Sequence, residues 1–444
     1  MAGIFKAYDI RGVVPDELDR KTAYLIGRAV GVLLGGSPLV VSRDMRLSGP
    51  EFAGGIIDGI TESGRDVVDA GLLSTPANYF AVGHYGYPGG VMVTASHNPK
   101  EYNGFKVSRE DVIPVSYETG LDEIERMVKE ANFPPAARKG KVGHRDVLAD
   151  YARHVLSFVR DIRPMKVVID AGNGMDGKML PPILKELPGE FVRLYFELDG
   201  TFPHHGSNVL LVDNLRDLRR AVLAEGAALG VAIDGDADRV AFIDEHAEVI
   251  PNDLVGALMA RQVLREEPGA AVIYDPRSSR AVREEILAAG GMPRVERVGH
   301  SYMKATMRRL EAPFGLELSG HFYFRDNFCA DSGVIAMIAL LNLLSKEQRP
   351  LSELIRPLQR YSSTGEINFE VQDKDGKIEE IARTFADGRQ SRVDGITVEY
   401  DDWWFNVRKS NTEPLLRLTL EGKTRRLMDS GLARVEPVLG KAVS

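Results

Sequence analysis

The sequence predicts an α/β protein of three similar, mixed but mostly parallel α/β domains, followed by a smaller C-terminal α+β domain, the four arranged around a central cleft. Three observations carry this. A short apolar run that ends in an acid recurs three times, each time followed by small residues and a helical pattern. Two more strand-like runs complete each repeat. From about Tyr361 the pattern changes to simple alternation.

The opening strands are expected over 39–44, 167–170 and 271–275, and the helices after them over 50–63, about 179–187 and 280–289. Second strands follow over 66–69, 192–196 and 294–298, and third strands over 90–94, 229–233 and 314–318. Helices alternating with apolar strands imply parallel sheets covered on both faces. In such sheets ligands gather beyond the carboxyl ends of the strands. The last part alternates over 366–371, 396–400, 403–407 and 415–420, with helical patterns over 377–385 and 424–439, and so reads as an antiparallel sheet with two helices. The expected domains are 1–147, 148–248, 249–360 and 361–444.

A chain of 444 residues, 44% apolar and 27% charged, has material for several cores at roughly 150 residues per domain. Disorder, collagen and coiled coil are excluded. The longest apolar run, 333–344, is broken by Asn342 and is too short to cross a bilayer. The start, Met-Ala-Gly-Ile-Phe-Lys, lacks the basic and apolar regions of a signal peptide, so the expected location is the cytoplasm, with no membrane partner. One cysteine, Cys329, forbids an internal disulfide and a cysteine-cluster metal site. The net charge of −8 argues against nucleic acid but allows an anionic small molecule where a few cations converge.

After the third strands come Thr94-Ala-Ser-His-Asn-Pro99, Asp234-Gly-Asp-Ala-Asp-Arg239 and Ser319-Gly-His321. Alternation in an extended segment would point Asp234, Asp236 and Asp238 the same way. Three like charges repel unless a cation lies between them, and hard oxygen ligands select Mg²⁺, Mn²⁺ or Ca²⁺ over zinc. An EF-hand fails here, because its sixth position is Arg239 and both flanks read as strands. Ser96, in the equivalent place of the first repeat, is a candidate nucleophile or phosphoryl carrier, and no Gly-x-Ser-x-Gly elbow accompanies it. Glu317, Ser319 and His321 alternate along one strand end and would share a face suited to sugar hydroxyls. Arg408-Lys-Ser-Asn-Thr412 gathers a guanidinium, hydroxyls and an amide in one turn, which suits a phosphate dianion. A rival motif, Gly172-Asn-Gly-Met-Asp-Gly177 with Glu197 beyond it, outlines a dinucleotide fingerprint, so a nicotinamide-dependent sugar oxidoreductase is the competing class. Asp170, placed just before that turn, opposes a pyrophosphate.

Together these residues resemble the α-D-phosphohexomutase superfamily, and within it the phosphomannomutase/phosphoglucomutase group, over essentially the whole chain. The resemblance implies that Ser96 carries a phosphoryl group and completes a Mg²⁺ site with Asp234, Asp236 and Asp238. It places Tyr8 and Arg11 of Tyr8-Asp-Ile-Arg11 near the transferring phosphate, with His97 beside Ser96 as a substrate contact. Lys106 matches a lysine proposed for acid/base work, and His321 joins it as a candidate. Arg239 is expected beside the metal loop, and Arg277 and His300 at the sugar. Glu317 and Ser319 would hold hydroxyls, and Arg408, Ser410, Asn411 and Thr412 the phosphate that does not react. The implied reaction interconverts hexose 1-phosphate and hexose 6-phosphate, of mannose or glucose, through a bisphosphorylated sugar that turns round in the cleft. The partners are then small phosphosugars, with glucose or mannose 1,6-bisphosphate as activator. Leu316, Leu318 and Lys409 depart from the usual loops, and Leu318 ranks a phosphoglucosamine mutase lower. A phosphosugar-binding protein without turnover is the remaining alternative.

Overall fold

The structure, a computed structural model, describes residues 3–410 and 415–443. The chain forms two compact units, one of Met1–Pro251 with Ser319–Ser352, the other of Asn252–Leu318 with Glu353–Ser444.

In the first unit one plan occurs twice. Strand Leu39–Arg43 pairs in parallel with Val67–Leu72 on one side and Gly89–Val93 on the other. Met165–Asp170 pairs in the same way with Gly189–Leu194 and Leu229–Ile233. In both sheets the third strand then reverses into an antiparallel partner, Tyr102–Arg109 or Val240–Ile243. Ile10–Val13 and Val142–His144 complete a six-stranded sheet, and Val249–Ile250 completes a five-stranded one. The central strands are buried, as their unbroken apolar runs require: Leu39, Val40 and Val41 are inaccessible, and so are Val167, Val168 and Ile169.

Helix Arg20–Leu34 starts where the Asp19 carboxylate accepts the Thr22 N–H, and it stops at the left-handed Gly35. It crosses helix Gly49–Glu62 on glycines. A Cβ at Gly27 would lie 2.4 Å from the Ile56 carbonyl oxygen, and one at Gly59 2.2 Å from that of Tyr24. The helix expected over 179–187 is instead two single turns, Asp176–Met179 and Pro181–Leu184. Pro181 has no N–H to give to the preceding turn, so the ladder breaks there.

In the second unit the plan returns: Ala271–Tyr274 pairs in parallel with Met292–Val295 and Phe314–Leu316. The strand expected over 294–298 starts two residues earlier and ends at Val295, after which the Glu296 carboxylate turns to accept the Thr306 hydroxyl at 2.6 Å. The same unit holds an antiparallel six-stranded sheet in the order Arg389–Ser391, Ile396–Glu399, Trp403–Lys409, Leu415–Gly422, Ser362–Glu370, Ala442–Val443. Helices Lys374–Thr384 and Arg425–Leu439 contribute Ile378, Ile381, Met428 and Val435 to its core, against Phe369, Phe405 and Leu418.

The chain re-enters the first unit at Ser319 and forms the hairpin of Phe322–Phe324 and Ala330–Asp331. Helix Gly333–Glu347 follows, capped by the Ser332 hydroxyl on the Ile335 N–H. The longest apolar run of the sequence is this helix, and most of its residues are buried. Among the described residues no helix is long and apolar enough to cross a membrane.

The glycine crossing leaves no room for a methyl group. Gly59→Ala is expected to cost about 1–3 kcal/mol by overpacking and to lower the melting temperature by about 2–8 °C in calorimetry. Gly54→Ala, on the same helix with open space at its Cβ, is expected to leave it unchanged or slightly raised.

Candidate active site

Ser96 lies in the turn between strands Gly89–Val93 and Tyr102–Arg109, 2% exposed and with φ at +50°. That conformation is unfavourable for serine, so its surroundings must impose it. They do so through one buried arginine. Arg46 donates from Nη2 to the carbonyls of Ser96 (2.8 Å) and Asn98 (2.6 Å), and from Nη1 to those of Pro99 (2.7 Å) and Tyr102 (2.9 Å). Asp44 supports both sides: it accepts the Arg46 N–H at 3.0 Å and the Thr94 hydroxyl at 2.6 Å. Thr94 Oγ1 in turn accepts the Ser96 N–H at 2.9 Å. The guanidinium is 1% exposed, and burial lowers its pKa against the pull of Asp44.

The Ser96 hydroxyl points at the acidic loop, 3.0 Å from Asp234 Oδ2, with His97 Nδ1 at 3.3 Å. Asp234, Asp236 and Asp238 are 0–2% exposed, and one oxygen from each lies within 4.8 Å of the others. They converge as expected, but for a different reason. The segment is the tight turn between antiparallel Leu229–Ile233 and Val240–Ile243, with Ala237 at φ +69°, and it is the turn rather than strand alternation that folds the three inward.

Lys106 answers this charge: its Nζ lies 2.8 Å from Asp236 Oδ2 and also pairs with Asp238. Thr75 adds a hydroxyl on Asp236 at 2.6 Å. Burial, with repulsion from Asp238 and Asp236, holds Asp234 well above the usual carboxylate range. Burial pushes Asp238 up too, but Lys106 and His321 prevail and hold it well below. Against burial, Asp236 and Asp238 raise the Lys106 pKa. Arg11 pairs with Asp9 and Asn98 and feels Asp236 and Asp238, while burial, Arg239 and Arg11 keep the His97 imidazole neutral. Tyr8 stands just before the strand that carries Arg11.

Glu317, Ser319 and His321 do not alternate along one strand. The strand ends at Leu316, and the chain bends through Gly320 at φ +87°. Ser319 and His321 meet in the first unit, Oγ to Nδ1 at 2.9 Å, where His321 Nε2 lies 3.3 Å from Arg239 Nε, 3.5 Å from Asp238 and 3.7 Å from Asp331. Glu317 belongs to the second unit, and its carboxylate accepts the Gly299 N–H at 2.8 Å, just ahead of helix His300–Leu310 that opens with His300.

In the second unit Asp275 holds Arg277 on both oxygens, at 2.7 and 3.1 Å. Arg408 is on a strand, 2% exposed, and its Nη2 donates to Glu366 at 2.7 Å. Arg417, its cross-strand partner, takes the other Glu366 oxygen at 3.0 Å, and Arg277 lies 3.9 Å away. Against burial, these three cations hold Glu366 below its usual range. The Ser410 N–H donates to the Leu415 carbonyl at 2.9 Å; Asn411 and Thr412 lie outside the described residues.

Arg46, Asp44, Thr75, Glu366 and Arg417 were missed by motif reading. Two of them left a signal: Asp44 as the acid that closes the first repeated strand, and Arg417 because two arginines opposite each other on neighbouring strands demand an anion between them.

The glycines of Gly172–Gly177 serve packing. A Cβ at Gly174 would lie 2.9 Å from Gly235 Cα, and one at Gly177 1.9 Å from the Phe196 carbonyl oxygen. The turn therefore presses against the acidic loop, and the Met175 N–H donates to the Gly235 carbonyl. It carries Asp176, which is 1% exposed with neither carboxylate oxygen hydrogen-bonded, and burial together with Asp236 pushes it up to about 8.

Four family models match in order: phosphoglucomutase/phosphomannomutase alpha/beta/alpha domain I over residues 2–135, domain II over 149–247, domain III over 251–361, and the C-terminal domain over 366–437. A phosphomannomutase of Salmonella typhimurium is 38% identical over 431 residues, 94% of this chain and 94% of that one. A protein of Xanthomonas campestris pv. campestris described as phosphohexose mutases is 40% identical over 426 residues, again 94% of each. The crystal structure of a phosphoglucomutase/phosphomannomutase family protein from Burkholderia thailandensis matches with a TM-score of 0.91 at 34% identity, covering 98% of this chain and 96% of that one.

Asp176 gives a stability test. Its folded value near 8 lies above the unfolded carboxylate value, so the folded chain holds an extra proton between the two and stability falls as pH rises across that window. Asp176→Asn is expected to raise the melting temperature by about 2–6 °C at pH 8 and by little near pH 4. A gain that grows toward acid pH would contradict the buried, unpartnered carboxyl.

Proposed function

Given that the chain belongs to the phosphoglucomutase/phosphomannomutase family and is a hexose phosphate mutase, we propose that Ser96 is its phosphoryl carrier and that mannose and glucose phosphates are its sugars. The observation that carries this reading is the Ser96 hydroxyl, 3.0 Å from Asp234 and turned into the buried carboxylate trio.

The trio fits a hard divalent cation. Its donors are all oxygens, and Asp236 Oδ1 is buried with no hydrogen-bond partner. Mg²⁺ held by Asp234, Asp236, Asp238 and the phosphorylated Ser96 would supply charge neutralisation at the phosphoryl oxygens.

Transfer then depends on positioning and charge more than on covalent help. A free sugar hydroxyl attacks phosphorus, the bond from phosphorus to Ser96 Oγ breaks, the hydroxyl gives up its proton, and Oγ regains one when the serine is released. Lys106, kept charged by Asp236 and Asp238, is a proton donor and anion stabiliser; His321, oriented by Ser319, is the partner in proton transfer. Arg11, Arg239 and the neutral His97 line the same turn, where burial strengthens each charge. The second half reverses these steps on the other phosphate of the bisphosphorylated sugar, and a 1,6-bisphosphate restores any enzyme that loses its phosphate.

Arg408 is the grip for the phosphate that stays. Its Nε–H is buried without an acceptor, and Arg277, Arg408 and Arg417 already converge on a carboxylate, the arrangement an anion needs. Ser410, with Asn411 and Thr412 after it in the sequence, offers hydroxyls and an amide to the same phosphate. Glu317, Ser319 and His300 are the sugar contacts, and Tyr8 adds to the wall near Arg11.

Peptide mass spectrometry is expected to find phosphate on Ser96, increased by incubation with glucose 1,6-bisphosphate. Ser96→Ala is expected to lose isomerisation by at least ~10³-fold, and full turnover without the hydroxyl would refute the carrier role. Arg408→Ala is expected to raise KM for both mannose 1-phosphate and mannose 6-phosphate by about 10–100-fold, the worth of a charge-assisted contact. A change for one isomer alone would refute a grip common to both orientations.

A further inference from the structure

The segment after strand Gly189–Leu194 returns to the Ser96 turn, and the roles assigned above leave it unused. It packs closely on the loop that carries Arg46: a Cβ at Gly200 would lie 2.7 Å from the Met45 carbonyl oxygen, and the Phe202 ring lies 5.3 Å from the Arg46 guanidinium. Two residues later come two adjacent histidines. His204 stacks on Tyr195 at 3.8 Å between centroids and meets Asn173 Oδ1 at 2.8 Å. His205 places Nε2 3.0 Å from Asp170 Oδ2 and Nδ1 2.9 Å from the Gly206 carbonyl oxygen.

Both oxygens that face His205 can only accept. A neutral imidazole has one N–H, so only the charged ring satisfies both contacts. Burial opposes that charge, yet Asp170 and the Gly206 carbonyl outweigh it and raise the pKa. The other titratable groups that face the ring are Asp217 of helix Arg216–Glu225, Tyr195, whose hydroxyl donates to Asp217, and the adjacent His204.

Ser207 follows, 4% exposed. Its Oγ accepts the Gly235 N–H at 2.9 Å and donates to the Ser96 carbonyl at 3.3 Å. Gly235 stands between two of the three acids, and a Cβ there would lie 2.9 Å from Ser207 Oγ and 3.2 Å from the Ser96 carbonyl oxygen. Only glycine lets the metal loop come this close. One neutral hydroxyl thus joins the backbone of the carrier to the backbone of the metal loop.

We propose that Ser207 is a positioning residue for phosphoryl transfer, its hydroxyl setting the separation between Ser96 and the Asp234–Asp238 loop, with His205 anchored on Asp170 to hold it there. This rests on Ser96 as the carrier. Ser207 touches no reacting atom. It acts by keeping the phosphoseryl oxygen and the carboxylates in register, where an error of about 1 Å costs on the order of 10²-fold in rate.

The test is steady-state kinetics of Ser207→Ala, Ser207→Thr and His205→Gln on mannose 1-phosphate, titrated with Mg²⁺, beside peptide mass spectrometry of wild-type Ser96. Ser207→Ala is expected to lower kcat about 10–100-fold, to raise the Mg²⁺ concentration for half-activation several-fold, and to leave KM for the sugar within about twofold. Ser207→Thr, which keeps the hydroxyl, is expected to recover most of the loss. His205→Gln, away from the Ser96 contacts, is expected to move the same two quantities in the same direction, and it carries the test if Ser207→Ala does not fold. Its deficit against wild type should be greatest at acid pH and shrink as pH rises through the raised imidazole value, because wild type then loses the charged anchor as well. Unchanged kcat and Mg²⁺ half-activation in both Ser207→Ala and His205→Gln, with phosphate on wild-type Ser96, would overturn the proposal and leave the carrier reading standing. Wild-type Ser96 that takes no phosphate from a bisphosphate would overturn both.

Discussion

Three carboxylates buried in one tight turn repel each other, and the rest of the first unit is arranged around that repulsion. Asp234, Asp236 and Asp238 have almost no access to water that could screen them. The ammonium of Lys106, the hydroxyl of Thr75 and the guanidinium of Arg11 all face Asp236 or Asp238, and they come from the first sheet or its helices. The acids come from the second sheet. Charge therefore draws together two sheets whose apolar cores are separate, and the hydroxyl of Ser96 is carried into the gap by the same approach.

The Ser96 turn must then be rigid although its backbone is strained. Arg46 supplies this by using its guanidinium on four carbonyls of one loop. Lysine could not do so, since a single ammonium has neither the donors nor the planar fork. The arginine bonds backbone carbonyls, so its charge supports the turn while the Ser96 hydroxyl faces Asp234. In the second unit the arrangement is reversed. Glu366 collects Arg408, Arg417 and Arg277, keeping three cations close where their mutual repulsion would spread them.

Much was legible in the order of residues. The threefold strand–helix repeat appears as three parallel trios, because β-branched runs buried on both faces have few other ways to pack. The carboxylate trio, Ser96 and His321 come together after third strands, where an α/β sheet exposes its loops. The rival motif, Gly172–Gly177, shows the limit of spacing. Its glycines permit close approach, and sequence does not say to what: here the approach is to Gly235 and Phe196 rather than to a ligand.

The sequence alone determined the repeated α/β plan, the antiparallel tail and the chemical type of each loop, because local periodicity and residue chemistry need no partner. Tertiary structure alone decided that the trio converges through a turn with Ala237 in the left-handed region, that the strand stops at Leu316 short of Glu317, Ser319 and His321, and which groups Arg46, Glu366, Arg417, His205 and Ser207 bond. Each of these depends on contacts between residues far apart in the chain, where a hydrogen bond is chosen by the backbone that folding brings within reach and leaves no periodic trace in either segment.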